Sequence, residues 1–525
     1  MSVTPENVTA VTVEPMSLPL YNDGAAMPLR AAWTSRWVLM LVLLYCAAAT
    51  FALQPIIDPD IWWHLRTGQW VIEHGTVPHT DPFSMYGADR PWVAYSWLFG
   101  VLLYGMHALL GLMGVALYTL LGSLGVTTAL LCLVLRFETR VPVALALTAA
   151  GLAAIGPTLA PRAYLFTVCF FIIEIYVLFL VRETGRLRPL WVLPPLFALW
   201  ANLHVQFVHG LLVLGMAVGE SLVVGLHRRE TRIDRRVPFR PLLMTAAGCA
   251  LATLATPYGV GLYRAVAEHS GQRVIYKYIN ELSSPPFRGP AEWVFLALAL
   301  GAAFSLGRQR RVEPFPLLLL AGAAYFSFLA WRDAWFLTVV SVAIIAMTWG
   351  ERRQPRRRLS WAGAVVTAVG VAVGVGIILG ARTLSTATFE AAVATVYPAG
   401  ATEAIRQGKY PGPLFNDFNW GGYLIWRLPE YRVSMDGRAN LHGDDRVQRS
   451  VDTWTGRSWE SDEELRSARL VIASSKGILA QFLSRDARFK TVYRDDVASV
   501  FTRDAETLDL GADDRRPSRL GTINE

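Results

Sequence analysis

Charge is scarce in this chain: only 17% of its 525 residues are Asp, Glu, Lys or Arg, against about a quarter in an average soluble protein. Cysteine is scarcer, at four residues. Cys46, Cys132, Cys169 and Cys249 each lie inside an apolar stretch and form no Cys-x-x-Cys pair. Disulfide frameworks, zinc sites and dithiol redox chemistry are therefore excluded, and the four read as small buried hydrophobes. Neither a G-x-G-x-x-G nor a G-x-x-x-x-G-K loop is present, so a nucleotide-phosphate cradle of either kind is missing. No internal repeat is found. The net charge of +8 does not come from a basic domain. The arginines stand in short loops between apolar runs, which excludes a nucleic-acid partner.

What the chain has instead is apolar length. Hydrophobic residues make up 53% of it, in runs such as 37–57 and 361–379, close to the ~20 residues that cross a bilayer as a helix. Five arginine-rich stretches, at 136–140, 182–188, 228–240, 308–311 and 352–358, fix the direction of these runs when all are placed in the cytoplasm. The run from Trp37 is too long for a signal-peptide core and reads as a retained helix. The segments 92–110 and 112–135 are both apolar enough to span, yet only one can cross. The first, with Trp92, Tyr95, Trp97, Tyr104 and His107, suits the headgroup zone and is expected as an interfacial helix. Eleven spans follow, with the N-terminus cytoplasmic and the C-terminus outside.

The expected organisation is a disordered cytoplasmic tail (1–36), a helical membrane domain (37–380, first outer loop 58–111), an outer soluble α/β domain (381–503) and a disordered tail (504–525). Within the α/β part, residues 470–475 and 497–503 read as strands and 461–468 as a helix.

Candidate chemistry is densest directly after the first helix, in D-P-D-I-W-W-H-L-R-T-G and H-G-T-V-P-H-T-D-P-F-S. This loop holds Asp58, Asp60, His64, Glu73, His74, His79 and Asp81. Carboxylates there can act as a general base on a hydroxyl or hold a divalent cation through oxygen ligands. Trp62 and Trp63 can stack on a sugar or anchor the loop at the interface; an ordinary solvated loop fits the composition equally well. Around the other outer turns stand Arg162, His204 with Asn202, Gln206 and His209, Arg264, Lys277, and Arg332 beside Asp333. Each arginine alone fits snorkelling to the headgroups. Their gathering on one face suits an anion such as a lipid phosphate, which a guanidinium grips bidentately. Glu174, inside an apolar run, is either buried against a partner or a polar element of a cavity. In the α/β domain, W-G-G-Y-L-I-W reads as core packing or as an aromatic sugar platform. Asp436 and Arg438, in D-G-R, read as a turn with an ion pair more readily than as a catalytic couple.

The order of these features resembles the GT-C superfamily of membrane glycosyltransferases, which includes oligosaccharyltransferases, protein mannosyltransferases and aminoarabinose transferases. The D-P-D-x-W-W-H-L-x-T-G loop, R-A-Y-L-F at Arg162, N-L-H, T-P-Y-G and W-G-G-Y-L-I-W also resemble a group of bacterial membrane proteins assigned to that superfamily. The resemblance covers residues 37–503. It implies a polytopic α-helical fold and transfer of a sugar from a polyprenyl-phosphate-linked donor, at the outer face of a bacterial plasma membrane. The acceptor would be a glycan, lipid or protein. The superfamily's commoner acidic pair is Asp-Glu, and here it is Asp-Pro-Asp, which leaves Asp58 and Asp60 both open as the base, with Asp81 a third candidate. Arg162, Arg264, Arg332 and His204 would hold the donor phosphate, and Trp62, Trp63 and His64 would touch substrate. A Mg, Mn or Ca ion, if one is used, would sit at Asp58 and Asp60. The familiar Arg-Pro-Gln is here Arg162-Ala163-Tyr164, and no W-W-D-Y-G signature is present, which speaks against transfer of whole glycans to asparagine. A non-catalytic scaffold that binds a partner through the outer domain, and a transporter of lipid-linked glycans, are the alternatives.

Overall fold

The computed structural model describes residues 35–87, 90–226, 237–350, 359–382 and 384–503. Residues 1–34 of the expected tail 1–36, the expected tail 504–525, and most of the arginine stretches 228–240 and 352–358 lie outside them. The chain opens with α1 (Ser35–Ala52), α2 (Asp60–His74), α3 (Trp97–Leu110), α4 (Leu112–Phe137), α5 (Val141–Ile155) and α6 (Tyr164–Thr184). It continues through α7 (Leu193–Leu203), α8 (Phe207–Leu226), α9 (Phe239–Ala252), α10 (Gly261–Gly271) and α11 (Val274–Tyr278). The last helices of this part are α12 (Pro290–Gly307), α13 (Pro314–Leu329), α14 (Ala334–Trp349) and α15 (Trp361–Ala381). Prolines open the first turns of α5, α7, α12 and α13, where a missing N–H leaves no intrahelical bond unmade.

Among the described residues, seven helical segments are long and apolar enough to cross a membrane. They are Ser35–Ala52, Leu112–Phe137, Val141–Thr158, Tyr164–Thr184, Pro290–Gly307, Trp331–Trp349 and Trp361–Ala381. Shorter apolar helices at α3, α8, α9 and α13 accompany them. The chain is thus a polytopic helical membrane protein.

Two expectations about the first inter-helix segment need correction. The residues after Pro59 are not a loop but α2, fifteen residues long. Asp58 accepts the Asp60 N–H at 2.9 Å, satisfying one of the orphan donors at the helix start. Gly75, at φ 66, ends the helix in the left-handed region. Its polar and aromatic residues imitate a loop, but Ile61, Trp62, Leu65 and Val71 form a buried stripe. The interfacial helix expected at 92–110 begins only at Trp97. Trp92 precedes it in extended chain, buried, its N–H donated to the His79 carbonyl at 2.9 Å.

After α15 come α16 (Thr386–Val396), α17 (Ala399–Gly408), β1 (Leu414–Asn416), α18 (Phe418–Arg427), α19 (Ala439–His442) and α20 (Asp444–Trp454). The chain then forms α21 (Glu463–Ser467), β2 (Leu470–Ser474), α22 (Ile478–Leu483), β3 (Lys490–Arg494) and β4 (Ala498–Thr502). The sheet order is β1-β2-β4-β3, with β1 parallel to β2 and the other pairs antiparallel. Side chains alternate across a strand, and the two faces of this sheet have different partners. Val471, Ala473 and Phe501 pack with Leu465, Leu479 and Leu483 in a local cluster. Leu470, Ile472 and Val500 belong to the core that runs on into the membrane helices.

Candidate active site

The N-terminus of α2 is where distant parts of the chain meet. Asp58 and Asp60 are held there by the tight turn that starts the helix. Arg162 reaches them from the turn between α5 and α6, a turn fixed by Tyr118, whose hydroxyl donates to the Arg162 carbonyl at 2.8 Å. Arg162 Nε donates to Asp58 Oδ2, and Nη2 lies 3.5 Å from Asp60 Oδ2. Its Nη1 donates to both Glu281 oxygens, at 2.7 and 2.8 Å. Arg332, from the turn before α14, donates to the same Glu281. Three carboxylates and two guanidiniums thus form one chain, Asp58/Asp60–Arg162–Glu281–Arg332. It is not sealed: Asp60 is 21% exposed, Arg332 30% and Glu281 33%.

The carboxyls are not equivalent. Asp58 accepts from Arg162 Nε and from the Asp60 N–H, so it holds the turn and the guanidinium in place. Asp60 Oδ1 accepts from Trp63 Nε1 at 3.2 Å, and its Oδ2 is only at the edge of Arg162. Burial, with the nearby negative charges of Asp58 and Glu281, pushes Asp60 up to about 6 despite Arg162. Burial also opposes ionisation of Glu281, but Arg332 and Arg162 outweigh it and hold that carboxyl at about 2. Burial lowers the Arg162 pKa, yet its three carboxylate neighbours leave it well above the ordinary arginine value.

The divalent-cation site expected at Asp58 and Asp60 finds the Arg162 guanidinium between the two carboxylates, a cation already in place. Among the described residues no group of three His, Cys, Asp or Glu side chains converges to hold a metal ion.

The remaining candidates disperse. Asp81, expected as catalytic, belongs to a second buried group. Its Oδ1 accepts the Phe83 N–H at 3.0 Å and Arg438 Nη1 at 2.5 Å, and its Oδ2 accepts the Ser84 N–H at 3.1 Å. Arg438 turns its Nη2 to Asp436 at 2.7 Å, and all three side chains are at most 1% exposed. Burial opposes ionisation of Asp436, but Arg438 and His442 hold it far below the carboxylate range. The Ser84 hydroxyl donates to the same Oδ2 at 2.5 Å, so all four acceptor positions of the carboxylate are taken and Asp81 ties structure together.

Trp62, Trp63 and His64, expected to touch substrate, are buried. Trp62 packs edge-on against Tyr397 and Tyr423 at 5.6 and 5.1 Å; Trp63 lies over His64 at 3.6 Å. Burial, with His204 and Arg162 nearby, drives His64 well below the usual histidine range, so it is neutral. His204 Nδ1 lies 2.8 Å from Thr167 Oγ1, which also receives Trp200 Nε1 at 2.8 Å. Arg264 is exposed on α10 and joins none of the contacts of the cluster. Of the expected phosphate ligands, Arg162 and Arg332 alone are brought together.

Glu281, which bridges them, is the residue that sequence reasoning missed. A signal was available: the segment 258–290 contains only two acids, Glu268 and Glu281, on a face expected to carry several cations. W-G-G-Y is also closer to the site than expected. A Cβ on Gly422 would stand 2.7 Å from the Pro59 carbonyl, and one on Gly437 would stand 2.7 Å from Asp60 Oδ1. The two glycines let α18 and the D-G-R turn press against the backbone and carboxylate of the cluster.

No protein-family model matches the chain, and no curated protein matches it either. Solved structures similar to it include ArnT from Cupriavidus metallidurans bound to undecaprenyl phosphate, at 14% identity, 90% coverage of this chain and 99% of that one, and a TM-score of 0.47. The Archaeoglobus fulgidus oligosaccharyltransferase in the apo form matches at 12% identity over 84% of this chain and 70% of that one, with a TM-score of 0.49. The mycobacterial arabinofuranosyltransferase AftD matches at 13% identity over 90% and 40%, with a TM-score of 0.44.

Proposed function

We propose that this chain is a membrane glycosyltransferase that moves a sugar from a polyprenyl-phosphate-linked donor to an acceptor hydroxyl at the outer face of a plasma membrane. One observation carries the reading: a partly exposed carboxyl tuned to about 6, Asp60, stands at the end of a guanidinium chain. A base of that pKa is ionised at neutral pH yet accepts a proton more readily than an ordinary carboxylate. In the reaction, the acceptor oxygen forms a bond to the anomeric carbon as the bond from that carbon to the phosphate oxygen breaks. Asp60 takes the hydroxyl proton. The electron pair of the broken bond leaves on the lipid phosphate, whose charge Arg332 and Arg162 stabilise. Glu281, the carboxylate these two arginines now share, yields its place to the phosphate. An extracytoplasmic site suits such a donor, because nucleotide sugars are confined to the cytoplasm whereas a lipid-linked sugar can be flipped.

The test is release of polyprenyl phosphate from a lipid-linked sugar by the purified protein, with copurifying lipid identified by mass spectrometry. Asp60→Asn is expected to lower transfer by at least 100-fold, the usual reach of general-base loss, with membrane insertion unchanged. Full activity in that variant sinks the assignment.

A further inference from the structure

Beyond the cluster, α2 carries a second chemistry along its length. Arg66, Trp70 and His74 are spaced four apart and so form one row on the helix. Trp70 and His74 stack at 4.1 Å with their planes 12° apart, and His74 Nδ1 lies 2.8 Å from the Trp70 carbonyl. The chain following α18 faces this row with Tyr431 and Arg432, and Phe83 completes the wall. Together they line an open groove of about 240 Å³ at the seam between the first inter-helix segment and the C-terminal domain.

The groove's polar groups are under-used. Arg432 is exposed and has no hydrogen bond or ion pair among the described residues. Arg66 donates Nη1 to Gln69 Oε1 at 2.8 Å and lies 4.0 Å from Glu73, whose other oxygen accepts from Gln69. Its remaining N–H groups, of the five a guanidinium carries, have no hydrogen-bond partner among the described residues. Two guanidiniums with donors to spare, lining one groove with Trp70 and Tyr431, suit a ring that bears an anionic group: ring against indole or phenol, carboxylate or phosphate against arginine.

We propose that this groove binds a negatively charged glycan and that the glycan is the acceptor. The second half of that statement rests on the transferase reading. Arg66 and Trp70 lie roughly 9 and 15 Å along the helix axis from Asp60 at ~1.5 Å per residue. That span matches the length of an acceptor of several sugar units, its charged end in the groove and a hydroxyl at Asp60.

Isothermal titration calorimetry of the purified full-length protein with tetragalacturonate and maltotetraose tests this. Tetragalacturonate is expected to bind saturably and maltotetraose not, with binding weakened at least tenfold by Arg432→Gln or Trp70→Ala. Arg432 is exposed, so Arg432→Gln decides the question even where Trp70→Ala fails to fold. Undiminished binding in Arg432→Gln, equal binding of maltotetraose, or no binding of tetragalacturonate overturns the proposal. Asp60→Asn separates the two readings. Retained transfer in that variant overturns the transferase while the groove's binding stands; arginine-independent binding overturns the groove while the dependence on Asp60 stands.

Discussion

Asp60 makes the site readable by titration. Its carboxyl sits near 6, and only the deprotonated form accepts a proton. The rate of transfer is therefore expected to climb about tenfold per pH unit below 6 and to level off above it. Polyprenyl-phosphate release measured from pH 4.5 to 8 checks this, and a profile flat through that range contradicts the role of Asp60 as base. Stability runs the other way for this one group. The folded protein holds the proton up to about 6 while the unfolded chain releases it near the ordinary carboxylate range. The Asp60 contribution is thus full below that range and is lost as pH rises through 6. Glu281 offers the complementary experiment. Glu281→Gln removes a negative neighbour of Asp60 and loosens the hold on Arg332. The acid limb should move to lower pH, and affinity for polyprenyl phosphate should rise by roughly tenfold, the ~1.4 kcal/mol that separates decades in affinity. Unchanged affinity in that variant would mean that the arginines do not receive the phosphate. The scarcity of acids in 258–290 marks Glu281 as a candidate in the sequence, but which arginines it pairs with was not readable, because they are 119 and 51 residues away.

At the scale of the element, apolar length was readable because it is a property of one stretch of chain, and the seven long segments needed no knowledge of their neighbours. α2 was not, because half of what makes it a helix is supplied from outside: α3 and α18 cover the stripe that its polar face obscures. Backbone closeness supports this packing. A Cβ on Gly68 would fall 2.0 Å from the Gly100 carbonyl oxygen, so Gly68→Ala must push α2 off α3 and carry Asp60 with it. Loss of ~1–3 kcal/mol or more is expected, read as a lowered melting temperature in detergent. Gly105, on α3 itself, has nothing within 4 Å of its would-be Cβ. There the same substitution is expected to be neutral or to stabilise by ~0.5–1 kcal/mol, the helix preference for alanine. Equal effects at the two positions would mean that the close approach of α2 and α3 is not what holds them. The strands at 470–475 and 497–503 were readable as short strand-like runs in a stretch rich in turn signals. Their inner partners were not, since one sheet face packs locally and the other against the membrane core.

For the whole molecule, the buried group Asp81–Arg438–Asp436 joins the beginning of the chain to its end. Arg438→Met leaves two carboxylates buried without their cation, which costs ~3–5 kcal/mol in comparable buried pairs. Thermal unfolding of the purified protein measures it; a loss below about 1 kcal/mol would show that the domains are held by other means. D-G-R was readable as a turn with an ion pair, but not as a tie across 357 residues, because nothing near Asp81 in the chain announces a distant cation. That separation has a consequence for biosynthesis. At ~5–20 residues per second, a ribosome takes roughly 20–70 s to travel from Asp81 to Arg438. Throughout that interval the nascent chain carries Asp81 without the arginine that neutralises it, and Gly422 has not yet closed over the Pro59 carbonyl. The part of the protein made almost first is finished almost last, so a chain cut short before residue 438 is expected to leave its opening segment unassembled and exposed to quality-control proteases.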